Sequence, residues 1–132
     1  MTEIKWKYFE KFDDKNIDNL ESEIGNKMPA DYKVLLVECN GAKPNPHQFD
    51  IHGRKGCVVD YMLSVNIILK TIKNMRDSGK ELVPIAIDPF GNYIAYNYSS
   101  SKENPEIVFW DHETNTTTFI ARNFKTFISL LY

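Results

Sequence analysis

The sequence predicts an α+β fold: a mostly antiparallel twisted sheet of about five to six strands, with helices packed against one face and a C-terminal helix. Three observations predict it. Residues 82–121 hold four short runs rich in β-branched and aromatic residues, separated by turn formers, the pattern of an antiparallel meander. Three earlier segments space their apolar residues three and four apart, as a helix with one buried stripe does. After Ala121 the spacing changes again, through Phe124, Phe127, Ile128 and Leu131, which marks a closing amphipathic helix.

Taken in order, Trp6 to Phe12 is aromatic and charged and is expected to lay its aromatics on the core as an edge element. Asp13 suits the N-cap of a first helix, with Phe12 and Ile17 at the staple positions around it. Ile17, Leu20 and Ile24 share one face of that helix, and Gly25 supplies a left-handed stop. Pro29 opens a second helix, where its fixed φ and missing N–H suit the first turn. Tyr32, Leu35, Leu36 and Cys39 form the stripe of this helix, and Asn40-Gly41 ends it.

Residues 43–46 contain two prolines and are expected to be irregular. Residues 48–52 and 57–62 read as short strands joined across Gly53-Arg54-Lys55-Gly56. Ser64 or Asn66 caps a third helix that turns Ile68, Leu69, Ile72 and Met75 inward and finishes at Ser78-Gly79. The meander follows: Leu82-Val83-Pro84-Ile85-Ala86-Ile87, then Tyr93-Ile94-Ala95-Tyr96-Asn97-Tyr98, then Ile107-Val108-Phe109-Trp110, then Thr117-Thr118-Phe119-Ile120-Ala121. No internal repeat, low-complexity tract or linker interrupts the chain, so residues 1–132 are expected to form one domain.

Length and composition bound the function. A chain of 132 residues supports one domain with a real core, and 42% apolar with 26% charged residues is ordinary for a globular protein. The formal net charge is −2 with Lys and Arg scattered, which disfavours direct nucleic-acid binding, since phosphate recognition concentrates positive charge on one face. Cys39 and Cys57 are too far apart for a metal knuckle or redox pair, and are read as reduced, buried thiols. Met1-Thr2-Glu3-Ile4-Lys5-Trp6 lacks an apolar signal region and no stretch is long enough to span a bilayer, so a cytoplasmic protein without membrane contact is expected.

The pattern Leu20-x-x-x-Ile24-Gly25-x-x-Met28-Pro29-x-x-Tyr32-x-x-x-Leu36-x-x-x-Asn40-Gly41 resembles the opening signature of the SMI1/KNR4 group, the SUKH superfamily. The second half agrees in order: Val83-Pro84-Ile85-Ala86, Phe90-Gly91-Asn92-Tyr93, Val108-Phe109-Trp110-Asp111-His112-Glu113, then Ile120-Ala121 leading into Phe124-x-x-Phe127-Ile128. Together they span residues 14–131. Met28 stands where the family usually has Leu, and Asn123 where it often has Ser. Both swaps keep the physics, because Met fills a similar volume and Asn caps as well as Ser. The resemblance implies an antiparallel sheet with helices on one side and at its ends. It also implies a non-enzymatic, protein-binding role. Bacterial members are immunity proteins that neutralise polymorphic toxins, often nucleases, whereas fungal members are regulators of cell-wall synthesis with long disordered flanks. This chain has no such flank, which favours the immunity reading over a regulatory scaffold.

The sequence implies no catalytic residue, no cofactor and no metal. Asp111-His112-Glu113 would alternate across a strand, but the following Thr114-Asn115-Thr116 marks a turn that such polar residues stabilise. His47, Asp50 and His52 lack the further ligands a zinc site needs. Gly91-Asn92 has neither the glycines nor the lysine of a phosphate loop. The expected partner is a protein, a toxin domain, with the chain itself a monomer or weak dimer. Alternation gives the meander one face that meets solvent, and exposed Tyr and Trp build interface hot spots. The expected partner-binding residues are Tyr96 and Tyr98, with Asp14, Asp18, Glu21, Glu106, Asp111 and Glu113 as acidic steering groups toward a cationic partner.

Overall fold

The computed structural model describes residues 3–12, 15–76 and 79–132. Along the chain run β1 (Lys5–Lys7), α1 (Lys15–Ile24), α2 (Ala30–Glu38), β2 (Lys43–Asn45), β3 (Gln48–Ile51), β4 (Arg54–Val58) and β5 (Tyr61–Met62). They are followed by α3 (Val65–Arg76), β6 (Leu82–Ile87), β7 (Tyr93–Asn97), β8 (Glu106–Asp111), β9 (Thr116–Ala121) and α4 (Phe124–Leu130). Strands β5 to β9 form one antiparallel sheet in sequence order, while β1 pairs with β2 and β3 with β4 as separate two-stranded ribbons. The architecture is α+β, as the meander and the helical spacings predict.

Two bulges set which side chains face which way. Pro84 pairs with Ala95 but Ala86 with Ile94, so Ile85 is the extra residue of β6. Pro84, which cannot donate to a ladder, therefore sits beside a bulge, where a central strand tolerates it. Ile107 pairs with Ala121 but Val108 with Phe119, so Ile120 is the extra residue of β9. One face of the sheet consequently carries Val83, Tyr96 and Ile107 in one row and Ala86, Ile94 and Phe109 in the next, all of them buried. The helices supply Ile17, Leu20, Tyr32, Leu36, Phe124 and Phe127 to the same cluster. Edge-on aromatic contacts lock it, with Tyr32 against Tyr96 at 5.5 Å and Phe49 against Phe127 at 5.9 Å between ring centroids.

Helix ends follow the expected chemistry with small shifts. Pro29 is the N-cap of α2 rather than its first residue, and its carbonyl accepts from Lys33 N at 3.0 Å. Gly25 and Gly41 close α1 and α2 with φ of +78° and +77°. Ser64 Oγ accepts from Ile67 N at 3.3 Å, and Asn40 Oδ1 reaches across from the end of α2 to accept from Val65 N at 2.9 Å, so α3 is capped from two elements. Asn123 Oδ1 accepts from Thr126 N at 2.8 Å and starts α4. The Asp13 cap lies outside the described residues.

Three expectations need correction. Residues 43–45 form β2, because Pro44 opposite Trp6 lies in a two-stranded ribbon where a missing N–H breaks no interior ladder. The β3–β4 turn falls at His52 and Gly53, and the apolar run after it divides into β4 and β5, which belong to different sheets. Near the N-terminus Ile4, Trp6 and Phe12 pack on the core, whereas Tyr8 and Phe9 face solvent. Cys39 and Cys57 are free, and burial raises the pKa of both thiols. Among the described residues, no helix is long and apolar enough to cross a membrane.

Candidate partner-binding surface

The opposite face of the sheet carries the surface of interest. Directly paired residues point the same way, so Tyr61, Ile87, Tyr93, Trp110 and Thr117 form one continuous row across all five strands. Pro84, Ala95, Val108 and Phe119 form the next row, and Leu82, Asn97 and Glu106 a third. Met75 at the end of α3 joins Leu82, Ala95 and Val108 in a small buried cluster, against which Tyr93 and Trp110 pack. The two large rings lie nearly parallel, 6.1 Å apart at 22°, and both stay half-buried. Around them Tyr61 is 40% exposed and Phe119 55%, and Phe90 at the tip of the β6–β7 turn is 69% exposed. On this same face Met75 brings the end of α3 against the edge of the row.

Hydrogen bonds fix the two turns at the end of this row. Asp88 is buried, and its carboxylate accepts from Phe90 N at 2.8 Å, Asn92 N at 2.8 Å and Asn92 Nδ2 at 3.0 Å. The last of these orients the Asn92 amide, whose Oδ1 then accepts from His112 N at 3.2 Å and meets His112 Nδ1 at 2.7 Å. Because an amide oxygen only accepts, His112 Nδ1 is the donor in this contact. Gly91, at φ +86°, lies under the imidazole, where an added Cβ would stand 3.6 Å from His112 Cε1. In the β8–β9 turn, Asp111 Oδ1 accepts from Glu113 N at 2.9 Å, and Asn115, in the left-handed region at φ 54°, accepts from Trp110 Nε1 at 2.8 Å. That last bond anchors the indole on the sheet.

The expected site residues fall in different places. Tyr96 and Tyr98 are not on the surface: they are 0% and 1% exposed, because their strand parity matches Ile94 and points them at the helices. Their polar neighbours gave the signal, since Asn97 and Glu106 share the parity of Tyr93 and Trp110 and mark the solvent side. Glu21 is half-buried and structural, with Oε2 accepting from Met28 N at 2.6 Å and Oε1 lying 3.6 Å from Lys33 Nζ. Asp111 spends its carboxylate on its own turn, which lies in no strand beyond Asp111, so Asp111 and Glu113 do not alternate across one. Asp18 is exposed on α1, and Asp14 lies outside the described residues. Glu106 lies on the outer face at one end of β8 and Glu113 is exposed in the turn beyond the other end, with β8 spanning about 17 Å between Glu106 and Asp111.

The remaining polar groups are occupied locally. Asp50 accepts from Tyr132 Oη at 2.6 Å and from Gly56 N at 2.9 Å, and the Tyr132 bond is the main cause of its lowered pKa. His47 and His52 are exposed, and among the described residues no group of three or more His, Cys, Asp or Glu is placed to hold a metal ion. A cleft of about 460 Å³ opens between the end of α1 and the start of β6, floored by Tyr98, Leu82 and Val83. Lys80, Glu81 and Lys102 also line it, a set of mixed charge.

No curated protein matches the chain. The SUKH_6 profile, described as SMI1-KNR4 cell-wall, matches residues 14–128, nearly the whole of the described fold. The chain belongs to the SMI1/KNR4 family of the SUKH group.

Proposed function

We propose that this protein is an immunity protein, which neutralises a cognate toxin domain by stoichiometric binding and makes or breaks no covalent bond. The observation that carries the reading is the aromatic row of the outer face, where the Tyr93–Trp110 stack lies among exposed Tyr61, Phe90 and Phe119. Rigid aromatics of this kind supply large contact area at little cost in side-chain entropy, which is how hot spots arise. Trp110 and Tyr93 take over the role assigned from sequence to Tyr96 and Tyr98. Glu106 and Glu113, near the two ends of β8, would steer a cationic partner such as a nuclease, a rate effect that fades with salt.

The test uses the toxin domain encoded beside this gene, in a binding and activity assay with purified proteins. The expected result is one-to-one binding with loss of toxin activity. Phe119→Ala should weaken binding by about 2 kcal/mol or more, roughly thirtyfold, as a hot spot does. Its effect on the melt should stay within about 0.5 kcal/mol, as for most surface changes. Failure of the wild-type protein to bind or inhibit that domain would refute the immunity reading. Full inhibition by a Trp110→Ala/Phe119→Ala variant would refute the surface assignment instead.

A further inference from the structure

Strand β9 forms one edge of the five-stranded sheet and pairs only with β8, with β3 approaching it but forming no ladder with it. Among the described residues, no backbone hydrogen bond outside that ladder involves Thr116–Ala121. An edge strand presents unpaired N–H and C=O groups, and proteins normally blunt such an edge with charge, proline or a covering element. Here residues 116–119 read Thr-Thr-Thr-Phe, with no charge and no proline, every residue favouring extended structure, and Phe119 55% exposed. The one bulge of the strand lies further along at Ile120 and leaves this stretch regular.

We propose that β9 is the self-association site of this protein, pairing antiparallel with β9 of a second copy to give a continuous ten-stranded sheet. Side-chain parity restricts the register. A two-fold axis normal to the sheet keeps outer faces together only when it passes through a residue. Placed at Thr118, it sets Thr117 against Phe119 of the second copy in two equivalent pairs, a β-branched–aromatic match on the outer face. A strand without charge at residues 116–119 also sets no like charges against each other. These features fit a second copy, because one sequence supplies both halves of each pair. The junction is small, so the dimer is weak and depends on concentration. It leaves Tyr93 and Trp110 open, and it does not depend on the toxin-binding reading.

Light scattering on eluting protein, across loading concentrations from about 1 µM to about 1 mM, tests it. The wild-type mass should climb from the 15.4 kDa of one chain toward twice that value. Thr117→Lys/Phe119→Lys sets lysine against lysine in both pairs and should weaken the dimer at least tenfold. Thr117→Glu/Phe119→Lys sets glutamate against lysine and should restore it. A wild-type mass that stays at one chain throughout, or a double-lysine variant that dimerises as well as wild type, overturns the proposal. Thr118→Cys keeps the test decisive should the lysines unfold the chain. On the axis its two copies come within reach of a disulfide, so mild oxidation must capture a covalent dimer that wild type, with Cys39 and Cys57 alone, does not form. Absence of that dimer overturns the pairing.

Discussion

The three tyrosines at the centre of the core respond oppositely to removal of a hydroxyl. Tyr32 and Tyr96 are fully buried, their rings meet edge-on at 5.5 Å, and among the described residues neither hydroxyl has a hydrogen-bond partner. Tyr98, in contact with Tyr96, donates to the Lys27 carbonyl at 3.1 Å. Burying a hydroxyl without a partner costs about 1–3 kcal/mol in proteins. Tyr96→Phe and Tyr32→Phe keep the ring and delete that cost, so each should stabilise the fold by about 1 kcal/mol. Tyr98→Phe deletes a made bond and orphans a carbonyl, and should destabilise by about 1 kcal/mol. With an unfolding entropy of about 2.1 cal/mol/K per residue over the 132-residue chain, each 1 kcal/mol moves Tm by roughly 3–4 °C. Thermal and urea unfolding, followed by circular dichroism, read the sign directly. The two contacting changes should not add, since each alters the surroundings of the other. A loss of more than about 1 kcal/mol in Tyr96→Phe would refute the reasoning, because it would mean that the hydroxyl is satisfied in solution, for example by a trapped water.

Two further outcomes follow from the same structure. Burial holds the Tyr32, Tyr96 and Tyr98 phenols well above the usual value near 10, so the folded state keeps them protonated where the unfolded chain would release protons. Their stabilisation is fully present below that value and drains away as pH rises through it. Alkaline unfolding should therefore begin near pH 10, and Tyr32→Phe/Tyr96→Phe should postpone it in a pH-dependent denaturation series. Asp88→Ala strands three donors in a buried turn and should cost about 2–3 kcal/mol by urea unfolding, while freeing Phe90 and His112 from their fixed positions.

How much of this was legible in the sequence depended on whether local pattern or partner geometry decided the outcome. The meander was legible because its runs and turns each obey a local rule, and Ile17, Leu20, Tyr32 and Leu36 fell inward as their spacing required. Strand β2 was not legible, because whether Pro44 is tolerated depends on having Trp6 opposite it in a ribbon, a relation that no local rule contains. The division of residues 57–62 between β4 and β5 likewise depends on which sheet each half joins. For the surface, periodicity separated Tyr93 from Tyr96 but did not say which of them met solvent; Asn97 and Glu106 carried that information. The acids Glu21 and Asp111 look like any exposed carboxylates in sequence, and only folding gives them backbone N–H groups to bind.

The bulges at Ile85 and Ile120 bear on how the outer face can vary. A sheet whose alignment is pinned by two inserted residues cannot slide by one position without exposing its tyrosine core and swallowing Asn97 and Glu106. The alignment thus resides in the pinned strands, and the residues displayed outside are free to take other identities. Exchange of Tyr61, Phe119 or Thr117 would retune the contact chemistry while the scaffold behind it stayed in place, so one framework can present many different faces.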